Sequence, residues 1–185
     1  MSEQSFHTPG LRGLEVSIPA GDIDVETVEG DESSVAVTGD PKLVEQTRVE
    51  LRGDVLSVGY QGKRGLFGIS IAVGDFSIGG GRLRVEARVP HGVRPRLTSA
   101  SADMALRGRF GALETKTVSG DLLVNGAVEG HAVVKTVSGD ARIESVGGEL
   151  RVQSVSGDVD VRSVGGSVAA KSVSGRTCRP HSRPT

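Results

Sequence analysis

The stretches KTVSGDLLV (116–124), KTVSGDARI (135–143), QSVSGDVDV (153–161) and KSVSGRTCR (171–179) are near copies of one another. Their valines, Val118, Val137, Val155 and Val173, recur at almost constant spacing, the first interval longer by one than the two after it. Val128, Val146 and Val164 fall between them. The repeating unit is therefore nine residues, with one residue inserted in the half-repeat that begins at Asn125. A glycine follows two positions after each valine, at Gly120, Gly130, Gly139, Gly148, Gly157, Gly166 and Gly175. Apolar residues return four and six positions after the valine, as in Leu122 and Val124, Ala141 and Ile143, or Val159 and Val161. Valine, glycine and both apolar sites share one parity, the period-two mark of a strand with one face buried. Thr117, Ser119, Asp121, Arg142, Arg151, Asp160 and Arg162 take the other parity and suit water.

Parity breaks once per unit, between the last apolar site and the next valine, so the chain must bend there to keep both inside. Two bends close a coil. The reading is an all-β protein, a single-stranded β-helix or β-solenoid with about 18 residues per coil in two nine-residue half-coils, stacked at roughly 4.8 Å. Residues 98–175 form the solenoid, and Ala100 and Asp103, each one coil before its counterpart in the first full motif, mark its start. Glycine at an inward corner accepts positive φ, and an adjacent Asp or Ser oxygen can satisfy a turn amide. The motif is thus a corner, since a nucleophile would occur once and not four times.

Upstream, residues 14–27, 33–40, 47–60, 68–80 and 81–95 alternate apolar and polar residues between Gly, Asp and Pro breaks, while PKLVEQ (41–46) suggests a helical turn. Residues 1–97 are expected to form an N-terminal antiparallel or irregular β portion that caps the stack, because bare solenoid ends expose pairing edges. Residues 176–185 place Arg179 where an apolar side chain is due, so they form an irregular tail. This is a natural stop that blocks edge pairing or the trace of a lost reading frame, the latter slightly favoured.

Composition bounds the function. Glycine contributes 27 of 185 residues, about twice the usual share, whereas aromatics amount to four Phe and one Tyr. A formal net charge of −1 supplies no global field for nucleic acid. The single Cys178 forms no intramolecular disulfide, MSEQSFHTPG (1–10) lacks a signal-peptide core, and no apolar run reaches transmembrane length, so a cytoplasmic setting is expected.

The candidates for chemistry weaken on inspection. Asp103, Asp121, Asp140 and Asp158 could stack as a carboxylate ladder for calcium, but the GGxGxD order of calcium-binding solenoids is absent. Asp22 with Asp24 and Asp158 with Asp160 read as outward strand residues. Hydroxyl pairs such as Thr117 and Ser119, or Ser154 and Ser156, beside Lys116, Lys135 and Lys171 form regular rows that could meet a repetitive ligand, with a solvated face as the default. Arg52-Gly53-Asp54 spells an integrin-recognition tripeptide and also suits a hairpin turn. GKRGLFGIS (62–70) offers Leu66 and Phe67 in a loop, the glycines at 79–81 read as a turn, and His7, His91, His131 and His181 are scattered. GxSxG, HExxH, CxxC and GxxxxGK motifs are missing, so no catalytic, cofactor-binding or metal residue is assigned and no cofactor is expected.

The iterated TVSGD with its VGG half-units, preceded by PHGVRPRLTSASADMALRGRFGALETKTVSGD (90–121), resembles the bacterial putative-adhesin family, a β-strand-repeat domain of unknown function. EQTRVE (45–50) and GRLRVEARVP (81–90) resemble the N-terminal portion of its short members. The resemblance implies a right-handed β-helix without established enzymatic activity. The expected function is a non-enzymatic adhesion-type or scaffold module for a protein or polymer partner. The alternatives are a carbohydrate-active β-helix enzyme or polysaccharide-binding protein, whose site would break the repeat, and a filament-forming scaffold that self-associates through solenoid edges.

Overall fold

The computed structural model describes residues 2–61 and 81–174. The strand expected at 68–80, the 62–70 loop, Gly79, Gly80 and the 176–185 tail with Cys178 and His181 lie outside the described residues. The described residues form fourteen strands and one short helix: β1 (Ser2–Pro9), β2 (Gly13–Val28), β3 (Glu32–Gly39), α1 (Pro41–Glu45), β4 (Thr47–Arg52), β5 (Val55–Tyr60), β6 (Leu83–Pro90), β7 (Arg94–Phe110), β8 (Leu113–Ser119), β9 (Leu122–Val128), β10 (Ala132–Ser138), β11 (Ala141–Val146), β12 (Leu150–Ser156), β13 (Val159–Val164) and β14 (Val168–Ser174).

All fourteen strands belong to one sheet that divides into two walls. One wall stacks β8, β10, β12 and β14 in parallel, and the other stacks β9, β11 and β13. Leu150 sits over Ala132 of the preceding coil, and Ala132 sits over Leu113 of the coil before that, the earlier step being longer by one residue. The extra residue is absorbed between Val124 and Ala127, where the pairing of β9 with β11 shifts register between Ile143 and Ser145. β7 is long enough to serve both walls, pairing with β8 through Arg96–Ser101 and with β9 through Met104–Phe110.

Parallel stacking also continues upstream through β2, which pairs with β7 from Gly13 to Glu26. β2 turns the same corner as β7, with β5 beside its first half and β6 beside its second. Antiparallel pairs β1–β3, β3–β6 and β4–β5 lie at this end of the sheet. The helical turn expected at 41–46 is α1, with Asp40 accepting the Lys42 N–H at 3.0 Å and Pro41 at the start, where a missing N–H costs nothing.

The core lies between the walls and is aliphatic, as the composition requires. Leu97, Leu106, Leu113, Val124, Val134, Ile143 and Val152 are buried, with Phe110 completely enclosed. Val128 and Val146 also point inward, as expected of the half-repeat valines. The motif valines do not. Val118, Val137 and Val155 are 36%, 44% and 47% exposed, which corrects the expectation that they line the interior. On β12 the inward residues are Leu150, Val152 and Ser154, and strict alternation then carries Val155 outward. Ser156 is exposed as well, so the alternation breaks at the Val155–Ser156 step, just before the corner glycine. Thr136 and Ser154, expected to face water, occupy the inward place instead.

This exchange buries hydroxyls. Ser99, Thr117, Thr136 and Ser154 stack in one column, and Thr115 lies in the next. The Thr117 hydroxyl donates to the Ser119 carbonyl at 3.0 Å, whereas the hydroxyls of Ser99, Thr115, Thr136 and Ser154 have no hydrogen-bond partner among the described residues. A buried, unpartnered hydroxyl costs about 1–3 kcal/mol, so Thr136→Val or Thr115→Val, similar in shape and apolar, should stabilise the protein by about 1 kcal/mol each. A rise in denaturant midpoint without a change in slope is the expected measurement.

Candidate functional site

The repeat builds two kinds of corner, and their construction decides which motif residues remain available for binding. In the Ser-Gly-Asp corner, Gly120, Gly139 and Gly157 adopt φ of +128°, +136° and +134°. A Cβ on Gly139 would fall 2.2 Å from the Gly120 carbonyl oxygen of the coil below, and one on Gly157 would fall 2.2 Å from that of Gly139. Backbone conformation and close approach both demand glycine.

The aspartate completes this corner. The Asp103 carboxylate accepts the Asp121 N–H at 3.0 Å, Asp121 accepts the Asp140 N–H at 2.9 Å, and Asp140 accepts the Asp158 N–H at 2.9 Å. Each carboxylate thus caps a backbone donor of the next coil, and the sequence expectation that the motif is a corner gains a specific mechanism. Among the described residues no group of three His, Cys, Asp or Glu side chains is placed to hold a metal ion.

The second corner uses backbone alone. Gly147 N donates to Val128 O at 2.7 Å, Gly165 N donates to Val146 O at 2.8 Å, and Gly148 N donates to Gly130 O at 3.0 Å. An earlier Ser-Gly-Asp-type corner was missed in the sequence. Gly21, at φ +137°, pairs with Ala102, and Asp22 pairs with Asp103. The signal was present in GDIDV (21–25), which differs from GDVDV (157–161) by one methylene, but its distance from the regular repeats concealed it.

With glycine and aspartate committed to the corners, the outward face of the β8–β10–β12–β14 wall carries the remaining motif side chains. Lys116, Lys135, Gln153 and Lys171 align in one column, and Ser119, Ser138, Ser156 and Ser174 in another. Val118, Val137, Val155 and Val173 lie between these columns in chain order, each exposed. Beside them a cross-coil cluster links Arg96 to Glu15 at 3.3 Å and to Glu114 at 3.0 Å, with Lys116 on Glu114 at 2.8 Å. The Lys116 hydrogen bond, followed by the charges of Lys116 and Arg96, holds the Glu114 carboxyl below its ordinary range against opposing desolvation.

A shallow cavity of about 400 Å³ opens on the outer surface of β2, β3, β6 and β7, over Ala36 and Ala105. Its carboxylates face arginines: Asp24 and Glu86 lie 3.1 and 2.8 Å from Arg84, and Glu26 lies 3.7 Å from Arg88. Arg52-Gly53-Asp54 occupies the β4–β5 hairpin, where Gly53 has φ +64° and Arg52 bonds Glu50 at 2.9 Å. His91 Nδ1 lies 2.8 Å from the Thr27 hydroxyl, which also accepts the Arg109 N–H at 2.9 Å, so this histidine supports a bend.

A repeat whose corners and core are architectural, with its coils stacked in register, defines a β-solenoid-type domain. The chain belongs to the Toastrack DUF4097 family, whose model matches residues 14–176. Solved structures similar to it include a putative cell adhesion protein from Clostridium sporogenes, 8% identical with a TM-score of 0.47, covering 95% of this chain and 100% of the other. A putative adhesin from Bacteroides fragilis is 9% identical with a TM-score of 0.47, covering 95% and 96%. A putative lipid binding protein from Parabacteroides distasonis is 9% identical with a TM-score of 0.33, covering 96% and 97%. No curated protein matches the sequence. No helix among the described residues is long and apolar enough to cross a membrane.

Two corner substitutions, each with a control, test this construction. Gly139→Ala combines forbidden φ with a backbone clash and should cost about 3 kcal/mol or more, whereas Gly30→Ala, at φ +103° with open space around it, should cost roughly 1 kcal/mol. Asp140→Ala strands the Asp158 N–H and should cost about 1–2 kcal/mol, while Asp140→Asn keeps an acceptor and should remain near wild type. Urea denaturation of the four variants provides the comparison.

Proposed function

We propose that the protein is a non-enzymatic interaction module in which the β-solenoid expected from residue 98 onward is continued upstream by the parallel strands β2, β5 and β6 and capped by the antiparallel pairs of the N-terminal portion, presenting the outward motif columns to a protein or polymer partner. The observation that carries this reading is the in-register display, on successive coils, of Lys116, Lys135, Gln153 and Lys171 beside exposed valines and serines, a surface that repeats at roughly 4.8 Å. A repeating surface suits a repeating or extended ligand. Engagement of the motif glycines and aspartates in the corners supports the same reading, since it leaves the columns as the repeated feature facing solvent.

The cavity over Ala36 and Ala105 favours a second reading, a carbohydrate-active site. Asp24, Glu26 and Glu86 gather there with Arg84, Arg88 and Arg107, the residue types that such chemistry uses. The ion pairs across the cavity favour a structural role for these groups.

A glycan and protein-partner binding screen with purified protein, run beside polysaccharide-turnover assays, separates the two. The module reading expects binding that Lys135→Glu with Val137→Asp weakens tenfold or more, about 1.4 kcal/mol, while Glu86→Gln leaves it unchanged. Turnover of any sugar polymer that Glu86→Gln abolishes would establish the enzyme reading instead.

A further inference from the structure

The valine ridge is costly to leave in water, and the charges on its two flanks restrict what can cover it. Two successive coils carry, in chain order, Lys116, Val118 and Asp121, and Lys135, Val137 and Asp140; the next has Gln153, Val155 and Asp158, and Ala100 continues the ridge above Val118. Val173, at the other end, is 84% exposed. The lysines lie on one side of the valines, and the aspartates follow the corner glycine on the other. An anionic membrane would meet the aspartate column unfavourably, and a uniformly basic partner would meet the lysines. A fitting partner carries an apolar ridge with acid on one flank and base on the other, and this chain itself has such a surface.

We propose that a second copy of the chain covers this ridge, side by side, about a two-fold axis parallel to the stack. That rotation exchanges the two flanks, setting Lys116 and Lys135 of one copy opposite Asp121 and Asp140 of the other, with valine against valine on the same coil. A two-fold axis across the stack would keep each flank on its own side, placing lysine against lysine and aspartate against aspartate, which is repulsive. Lys135 makes no ion pair among the described residues, while Lys116 would share its charge between Glu114 and the partner. Asp121 and Asp140 each use one oxygen for the next coil's N–H, leaving the other for a lysine.

Five coils at roughly 4.8 Å give a ridge about 19 Å long and only a few side chains wide, a narrower contact than the standard interface of roughly 800 Å² per partner. The dimer is therefore weak and depends on concentration and salt. The second copy covers the same columns as the module's external partner and would compete with it, but its test uses the purified chain alone, so the two readings fail separately.

Cysteine cross-linking with a short bis-maleimide in a Cys178→Ser background tests the geometry. Val118→Cys and Val155→Cys should each cross-link to themselves severalfold faster than Lys42→Cys on the exposed helix α1. Rates equal to that control would overturn the proposal, as would Val118→Cys linking only when mixed with Val155→Cys, the product of the opposite axis. Sedimentation of the otherwise unaltered chain should show association that weakens with salt and falls about tenfold in Lys135→Asp. Indifference to both would also overturn it.

Discussion

The architecture depends on the absence of a side chain at one place in each coil. At the Ser-Gly-Asp corner the carbonyl of one glycine occupies the space where the next glycine's Cβ would be, as with Gly120 beneath Gly139 and Gly139 beneath Gly157. Stacked strands sit at hydrogen-bond distance, so the corner cannot relax by moving a coil away without breaking its ladder. The positive φ at these glycines turns the chain from one wall to the other. Aspartate then adds a local contribution by capping the following coil's N–H.

The rest of the coil is arranged around this corner. Alternation holds through Thr136 or Ser154 on the inward side and Val137 or Val155 on the outward side, and it breaks at the following serine, which is exposed as well, just before the glycine. The opposite corner, made from Gly147 and Gly148 or Gly165 and Gly166, bonds through backbone alone and keeps Val128 and Val146 inside. The two half-coils thus share a nine-residue period while differing in which side of the sheet receives valine. The surface that results is apolar along one line and charged beside it, which connects the packing of the repeat to its capacity for recognition.

Much of this was legible in the sequence. The repeat period fixed strand content, the insertion near Asn125 and the glycine corners, and the motif resemblance pointed to the family. Orientation of the motif valines was misread because apolar identity was equated with burial. A β-branched residue also suits an exposed strand, and following the parity from Leu150 through Val152 to Ser154 would have placed Val155 outside. The early corner at Gly21 was hidden by the long insertion between β2 and β7, which separates paired residues such as Gly21 and Ala102 by most of the N-terminal half of the chain. The charged cavity over Ala36 and Ala105 could not be read at all, because its residues come from four strands whose order in the sheet is not their order in the chain.

Amide hydrogen exchange at Asp121, Asp140 and Asp158, followed by NMR, tests the stacked-corner account most directly. These residues sit at a solvent-facing turn, yet each N–H is closed by a carboxylate from the preceding coil, so strong protection approaching that of Val134 and Val152 is predicted. Exchange of all three at the rate of an open loop would contradict it.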